Sequence, residues 1–277
     1  MAAGKETEIH LLAIRTTVKN IILETRSLKI GYRTKQLETV VASGIDIDVA
    51  EGELTAVIGI NGVGKSTFLR TISGIQPALS GKILINTEAR EDIRPQQLAR
   101  FISLVLTEQP LSKNLSVAEL VALGRQPYTN WIGTLSAEDR KMVKKALALV
   151  NIEDLQNKKC YELSDGQLQK VLIARALAQD TKMMILDEPT SHLDMYHKAQ
   201  VLKLLKQLSQ QTGKAIIFAT HEINLALQLC DKIILMKPSQ VIQDVPKQLI
   251  QKGHFESIFP SDLIVFDPVT ETFRIKT

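Results

Sequence analysis

The run Gly59-Ile60-Asn61-Gly62-Val63-Gly64-Lys65-Ser66-Thr67 sets three glycines, an amine and two hydroxyls side by side. Its spacing satisfies G-x-x-x-x-G-K-[ST], a loop that wraps phosphates with its own backbone. The glycines let successive N–H groups turn inward toward phosphate oxygens. A helix starting near Lys65 adds its positive end. Lys65 can reach β- and γ-phosphates, and the Ser66 hydroxyl can ligate Mg²⁺. A second cluster lies further along, where Met183-Met184-Ile185-Leu186 is closed by Asp187 and Glu188. A buried strand ending this way delivers its carboxylate to the C-terminal edge of a sheet, where open α/β folds bind ligands. Asp187 suits a direct or water-mediated Mg²⁺ role. Glu188, one residue on, is placed to polarise an attacking water as general base. A glycine-rich turn containing a lysine, or an acidic pair ending a strand, is common on its own; the two together in this order carry more weight.

These residues need a sheet to hold them. Leu54 to Ile58 is a short continuous apolar run that predicts a buried parallel strand directly before the glycine-rich loop. A helix follows from Lys65, with Gly74 to cap it. Ile21–Leu23, Leu28–Ile30 and Ile45–Val49 read as strands, the last alternating at period two. Residues 82–85, 102–106, 183–186 and 215–219 are further strands, and a helix runs from Leu193 to about Gln211, stopped by Gly213. Strands alternating with helices predict an α/β fold on a parallel sheet. Between Ser116 and Ala178 the pattern is helical. Ser136-Ala137-Glu138-Asp139 resembles a capping signature, and Met142, Ala146 and Val150 recur at helical spacing. That block, about residues 107–178, reads as a lobe inserted into a domain spanning 21–245. Residues 1–20 form an N-terminal extension. Residues 246–277 form a C-terminal one, where Leu263–Phe266, a turn at Asp267-Pro268 and Phe273–Ile275 predict a hairpin.

With 277 residues, 44% hydrophobic and 23% charged, the chain has the make-up of a folded protein with a full core. Its net charge of +4 is mild and the basic residues are scattered. The densest group, Arg140, Lys141, Lys144 and Lys145, reads as the solvated side of one helix, so no nucleic-acid partner is expected. Cys160 and Cys230 are too few for a disulfide framework or a zinc site. No run approaches the roughly 18 apolar residues of a membrane span, and Leu11–Ile14 is too short for a signal core. The chain is expected neither to span a membrane nor to be exported.

Leu163-Ser164-Asp165-Gly166-Gln167 resembles the signature motif of the ATP-binding-cassette family, usually Leu-Ser-Gly-Gly-Gln. Other family marks stand in order over roughly residues 25–240. Tyr32, 27 residues before Gly59, is similar in place to the aromatic that stacks on adenine, although it could also be an ordinary strand aromatic. Ser191-His192-Leu193-Asp194 resembles the D-loop, with Asp194 its acid, and His221 resembles the switch histidine that contacts the γ-phosphate. The resemblance implies an ATP hydrolase with a RecA-like P-loop NTPase core, an antiparallel β subdomain and an inserted helical subdomain. ATP and Mg²⁺ are the implied cofactors, with Lys65, Glu188 and His221 catalytic. It also implies a head-to-tail dimer, in which Ser164, Gly166 and Gln167 of one chain bind the γ-phosphate of ATP held by the other. The chain departs from the family pattern twice. Asp165 replaces a glycine and, beside a phosphate, must turn outward. The family's Q-loop glutamine falls on Thr107 in a gapless fit, with Gln109 two residues late, so either can be the Mg²⁺-linked residue.

The segment Leu115–Tyr128, with Trp131 and Leu135–Asp139, resembles the helical lobe of ATPases that drive bacterial importers of iron–siderophore complexes, haem and vitamin B12. Such a subunit sits peripherally on the cytoplasmic face of the inner membrane. Its partners are a second copy of itself, an integral membrane permease and, indirectly, a substrate-binding protein. An exporter subunit would share the core motifs, and only the lobe segment speaks against it. A soluble DNA-repair ATPase would need a long coiled coil between Lys65 and Leu163, where 98 residues leave no room. A translation-linked protein would carry two cassettes, and a binding module without turnover would not need Glu188 and His221.

Overall fold

The computed structural model describes residues 20–35, 37–106, 114–238, 240–259 and 263–276. Thr107 and Gln109, the two candidates for the Q-loop position, lie outside the described residues.

The described residues begin with two long antiparallel strands, β1 (Ile21–Arg33) and β2 (Glu38–Ala50). β4 (Ser80–Ile85) and β5 (Glu88–Ala89) complete a sheet of order β2-β1-β4-β5. Residues 21–30 form one strand rather than the two short ones expected. The polar break between them is a bulge: register shifts on both sides of Leu28, and Ser27 adopts a φ of 46° while its N–H donates to the Asp46 carboxylate. An extra residue in one strand bends it without ending the ladder.

The second sheet holds β3 (Leu54–Ile58), β6 (Ile102–Val105), β7 (Met183–Asp187), β8 (Ala215–Ala219), β9 (Lys232–Lys237) and β10 (Gln240–Asp244) in the order β10-β9-β3-β8-β7-β6. All neighbours are parallel except β10, an antiparallel edge strand. The unbroken apolar runs of these strands are explained by two cores, because successive residues point to opposite faces. Leu54, Ala56, Ile58, Met184, Leu186, Ile216 and Phe218 enter one core, which is shared with the helical lobe. Val57, Met183, Ile185, Ala215, Ile217 and Ala219 enter the other, which is shared with the antiparallel sheet. α1 (Lys65–Ile72) fills the space between the two sheets with Phe68, Leu69 and Ile72.

α2 (Pro95–Ala99) leads into β6. The lobe follows, built from α3 (Val117–Ala122), α4 (Ala137–Leu149) and α5 (Asp165–Ala178). Ser116 with Glu119, and Ser136 with Asp139, start α3 and α4 as reciprocal capping boxes. Arg140, Lys141, Lys144 and Lys145 are exposed along α4. Arg125 pins the lobe together from the inside. Its Nε donates to Asp139 Oδ1 at 2.8 Å, its Nη1 donates to the Ala178 carbonyl at 2.8 Å, and its guanidinium lies 3.9 Å from the Tyr128 ring centre. Hydrogen bonds from Ser136, then from Arg125, hold the Asp139 carboxyl down at about 2.

α6 (Met195–Thr212) begins two residues later than its apolar pattern predicts, because Asp194 is its N-cap; Gly213 ends it at a φ of 68°. α7 (Ile223–Leu229) and α8 (Pro246–Gln251) follow, and a hairpin of β11 (Ile264–Asp267) and β12 (Thr272–Ile275) closes the chain. Phe266 and Phe273 on the hairpin stack against Phe255 and Phe259, with ring centres 5.0–6.5 Å apart, which fastens this tail to the lobe-side core. Cys160 and Cys230 are both buried free thiols. Among the described residues no helix is long and apolar enough to cross a membrane.

Candidate functional site

β3 ends at Ile58, and the glycine-rich loop carries the chain into α1. Two of its glycines have no substitute. A Cβ at Gly59 would lie 2.4 Å from the Met236 carbonyl oxygen of β9, and one at Gly64 would lie 2.2 Å from Val41 Cγ1. Gly64, with a φ of 110°, is the N-cap of α1 and has no side chain to cover the helix end. The first-turn N–H groups therefore face the loop's interior, where an anion can take them.

Lys65 lies inside this loop rather than in solvent. Its ammonium donates to the carbonyls of Gly59, at 3.0 Å, and Ile60, at 3.2 Å. Burial lowers its pKa, and the nearby charges of Glu188 and Asp187 oppose that shift. Ser66 Oγ donates to Asp187 Oδ1 at 3.0 Å, joining α1 to the end of β7. Burial pushes the Asp187 carboxyl up, while the Ser66 hydrogen bond, Arg70 and Lys65 pull it back. A hydroxyl and a carboxylate meeting in a partly desolvated place are hard oxygen donors of the kind Mg²⁺ takes. That ion binds through one or two protein oxygens and completes its shell with water and phosphates. The donor set fits it.

Glu188 is the first residue past β7 and is held at a φ of 50°, a conformation that non-glycine residues seldom adopt. Its backbone N–H is bound to the Ala219 carbonyl of β8, which fixes the turn. The carboxylate is gripped at both oxygens: Oε1 lies 2.6 Å from His221 Nε2, and Oε2 accepts from Ser191 Oγ at 3.1 Å. His221 stands just beyond the end of β8, the strand beside β7. Across the loop, Tyr32 at the end of β1 shares a 2.9 Å hydrogen bond between its hydroxyl and Thr67 Oγ1, and the residue is 49% exposed. Its hydroxyl is tied down while about half of the residue stays open beside the cleft.

Tyr32, Asn61, Gly62, Gly64, Lys65, Ser66, Thr67, Glu188 and His221 line one open cleft of about 500 Å³. Gly59 sits at its root through Lys65, and Asp187 joins it through Ser66. The cleft presents an ammonium and a helix N-terminus on one side and a carboxylate–imidazole pair on the other. It can hold a polyphosphate and activate a water beside it.

Ser164, Gly166, Gln167 and Asp194 lie elsewhere. Ser164 caps α5, with its Oγ accepting from Gln167 N at 3.3 Å while Gln167 Oε1 accepts from Ser164 N at 3.1 Å. Asp165 is exposed at the first position of that helix. Asp194 accepts from the His197 backbone N–H at 2.9 Å at the start of α6. None of the four lines the cleft. Sequence reasoning passed over Val41, which walls the cleft against Gly64, and Ser191, which holds Glu188. No local pattern marks Val41, because β1–β2 register brings it there. Ser191 was legible only as part of the D-loop.

The comparisons with known proteins agree with this geometry. The family model described as ABC transporter matches residues 42–191. An uncharacterized ABC transporter ATP-binding protein of Methanocaldococcus jannaschii is 41% identical, over 92% of this chain and 87% of its own length. The petrobactin import ATP-binding protein FpuD of Bacillus anthracis is 33% identical, over 90% of this chain and 91% of its own. Among solved structures, an inward-facing ABC transporter of metal-chelate type superposes with a TM-score of 0.75 at 26% identity, covering 92% of this chain and 96% of that one. A dimeric ATP-binding cassette bound to ADP and Pi superposes with a TM-score of 0.69 at 27% identity, covering 81% and 99%. A glycine-rich loop, an acidic strand end and a strand-end histidine gathered in one cleft of an α/β fold, in a chain that the family model spans for more than half its length, place this protein in the ABC transporter family as an ATP-binding-cassette ATPase.

Proposed function

We propose that this chain is the ATP-hydrolysing subunit of an importer that takes up an iron–siderophore complex or a related metal chelate, such as haem or cobalamin. The cleft that joins Lys65, the Ser66–Asp187 contact and the Glu188–His221 pair carries the hydrolytic half of this reading. The cargo class is supported by the lobe segment Leu115–Asp139 and by relatives such as the petrobactin import protein.

In the proposed reaction the backbone N–H groups of residues 59–67 surround the ATP phosphates, and Lys65 exchanges its loop carbonyls for β- and γ-oxygens. Tyr32 offers its ring to the adenine. Ser66 and Asp187 are the residues that would hold Mg²⁺, which neutralises phosphate charge when bound. Glu188 takes a proton from water as the water oxygen bonds to the γ-phosphorus and ADP departs. His221 holds the carboxylate through Nε2 and faces the γ-phosphate. Ser164, Gly166 and Gln167 close the site from a second copy. Capping boxes use these residues for the helix start, while the N–H groups of Asp165 and Gly166 stay available to an incoming phosphate. Asp194 lies at the same interface. Because the signature lies outside the chain's own cleft, two chains placed head to tail make two sites, and ATP holds them together. The dimeric cassette to which this chain is similar supports that arrangement.

The partner in the membrane is a permease, with the ATPase bound on its cytoplasmic face and a substrate-binding protein delivering cargo from the other side. To test this reading, the chain is tagged in its native cell, the membranes are solubilised gently, and co-purifying proteins are identified. A polytopic permease in equal copy number is the expected outcome. A chain that brings down ribosomes, nucleic acid or nothing would end the importer reading and leave the ATPase intact.

A further inference from the structure

His197 belongs to no motif, and its half-exposed side chain is held on two sides. It occupies the third position of α6, three residues after the N-cap Asp194. Its Nδ1 lies 2.9 Å from both Asp194 carboxylate oxygens, and its backbone N–H donates to the same carboxylate. The Tyr196 ring meets the imidazole edge-on, with centres 5.5 Å apart. The Cδ2 side of the imidazole faces Gly166, where a methyl group would lie only 3.0 Å from Cδ2.

Gly166 is the second residue of α5. The N–H groups of Asp165 and Gly166 therefore have no acceptor within their own helix. The direction in which they point depends on where the first turn of α5 sits, and His197 is the wall behind that turn. The wall is itself anchored. Asp194 grips it, and Asp194 is separated by a short stretch of chain from Ser191, whose hydroxyl binds Glu188. A continuous path thus runs within one chain from the carboxylate of its own cleft to the phosphate-binding turn it would offer elsewhere.

We infer that His197 is a positioning residue for the signature turn. Through it, Asp194 and the segment following Glu188 set the phosphate-binding edge that this chain presents to the ATP of a second copy. The inference rests on the sandwich dimer proposed above. His197 itself need not touch nucleotide. It acts by fixing Gly166, and its effect falls on the partner's site rather than on the cleft of its own chain.

Two measurements on the full chain test this. In a Glu188→Gln background, sedimentation with ATP measures dimer formation for His197 and for His197→Ala. Loss of the wall is expected to weaken ATP-driven dimerisation about tenfold, within the range for coupled sites. ATP affinity at dilutions where the chain is monomeric should stay the same. His197→Asn keeps a donor toward Asp194 and is expected to recover part of the loss; it also serves if the alanine variant folds poorly.

The second measurement mixes Lys65→Ala chains with His197→Ala chains and follows ATP hydrolysis. If His197 serves the partner's site, a mixed dimer regains one site in which Lys65 and His197 are both native. Activity then rises above that of either variant alone. A silent mixture, or undiminished dimerisation of His197→Ala, would overturn the inference while leaving the dimer standing. If the Glu188→Gln parent itself stays monomeric with ATP, the sandwich reading falls and this inference falls with it.

Discussion

Replacing Glu188 by glutamine isolates one atom's chemistry. The amide matches the carboxylate in shape, so the contacts at 2.6 Å to His221 and 3.1 Å to Ser191 can be kept, and the turn at φ 50° is unchanged. Lys65, Ser66 and the loop glycines are untouched, so ATP affinity should stay within about twofold, since no phosphate-binding group is altered. What disappears is the capacity to take a proton from water. A positioned general base contributes about 10²–10⁴ in rate, equivalent to about 3–5 kcal/mol of barrier at 1.36 kcal/mol per tenfold. Single-turnover hydrolysis at saturating ATP measures that factor directly, and sedimentation of the same sample should show an ATP-dependent dimer that accumulates. Lys65→Ala is the contrast: it removes the ammonium aimed into the loop and should abolish ATP binding rather than turnover of bound ATP. Hydrolysis by Glu188→Gln within about tenfold of native would refute the assignment, since it lies below the smallest contribution expected of a base.

Two further expectations concern the scaffold. Arg125→Ala leaves the Ala178 carbonyl without its donor and Asp139 without its cation, though Ser136 still binds that carboxylate. A loss of about 3 kcal/mol, or roughly 6–12 °C in Tm, is expected by thermal denaturation, and a change below about 1 kcal/mol would show that the lobe does not depend on it. Lys214 is buried with its ammonium on the Thr181 carbonyl, and burial holds its pKa down at about 8 against 10.5 for a free lysine. Between those values the unfolded chain binds the proton that the folded chain has lost, so this residue makes stability rise with pH, and its penalty is full below about pH 8. Unfolding free energies from urea titration of native chain and Lys214→Met should therefore differ by about 2–3 kcal/mol more, in the variant's favour, at pH 7 than at pH 10. A pH-independent gap would contradict the buried charge.

The chemistry of residues 59–67 was legible because it is local. Glycine spacing sets backbone torsions, and the apolar run before it and the helix after it supply the rest within a few residues. The same holds for the parallel strands, whose continuous apolar character reflects burial on both faces, and for the helix starts at Ser116, Ser136 and Ser164, where cap and reciprocal partner lie three residues apart. Where the pattern misled, at residues 21–30, a bulge preserved a ladder that alternation alone would break. Thr107 and Gln109 stay as alternatives for the Q-loop position. Tertiary structure alone decided which of these pieces share a site. Sheet order β3-β8-β7 sets the glycine-rich loop, His221 and Glu188 at neighbouring strand ends, although they are far apart in sequence. Strand register brings in Val41, and the meeting of α5 and α6 sets His197 against Gly166. Short-range torsions and capping are written in adjacent residues, whereas strand order and helix packing come from burying two cores at once, and no short stretch of sequence contains that balance.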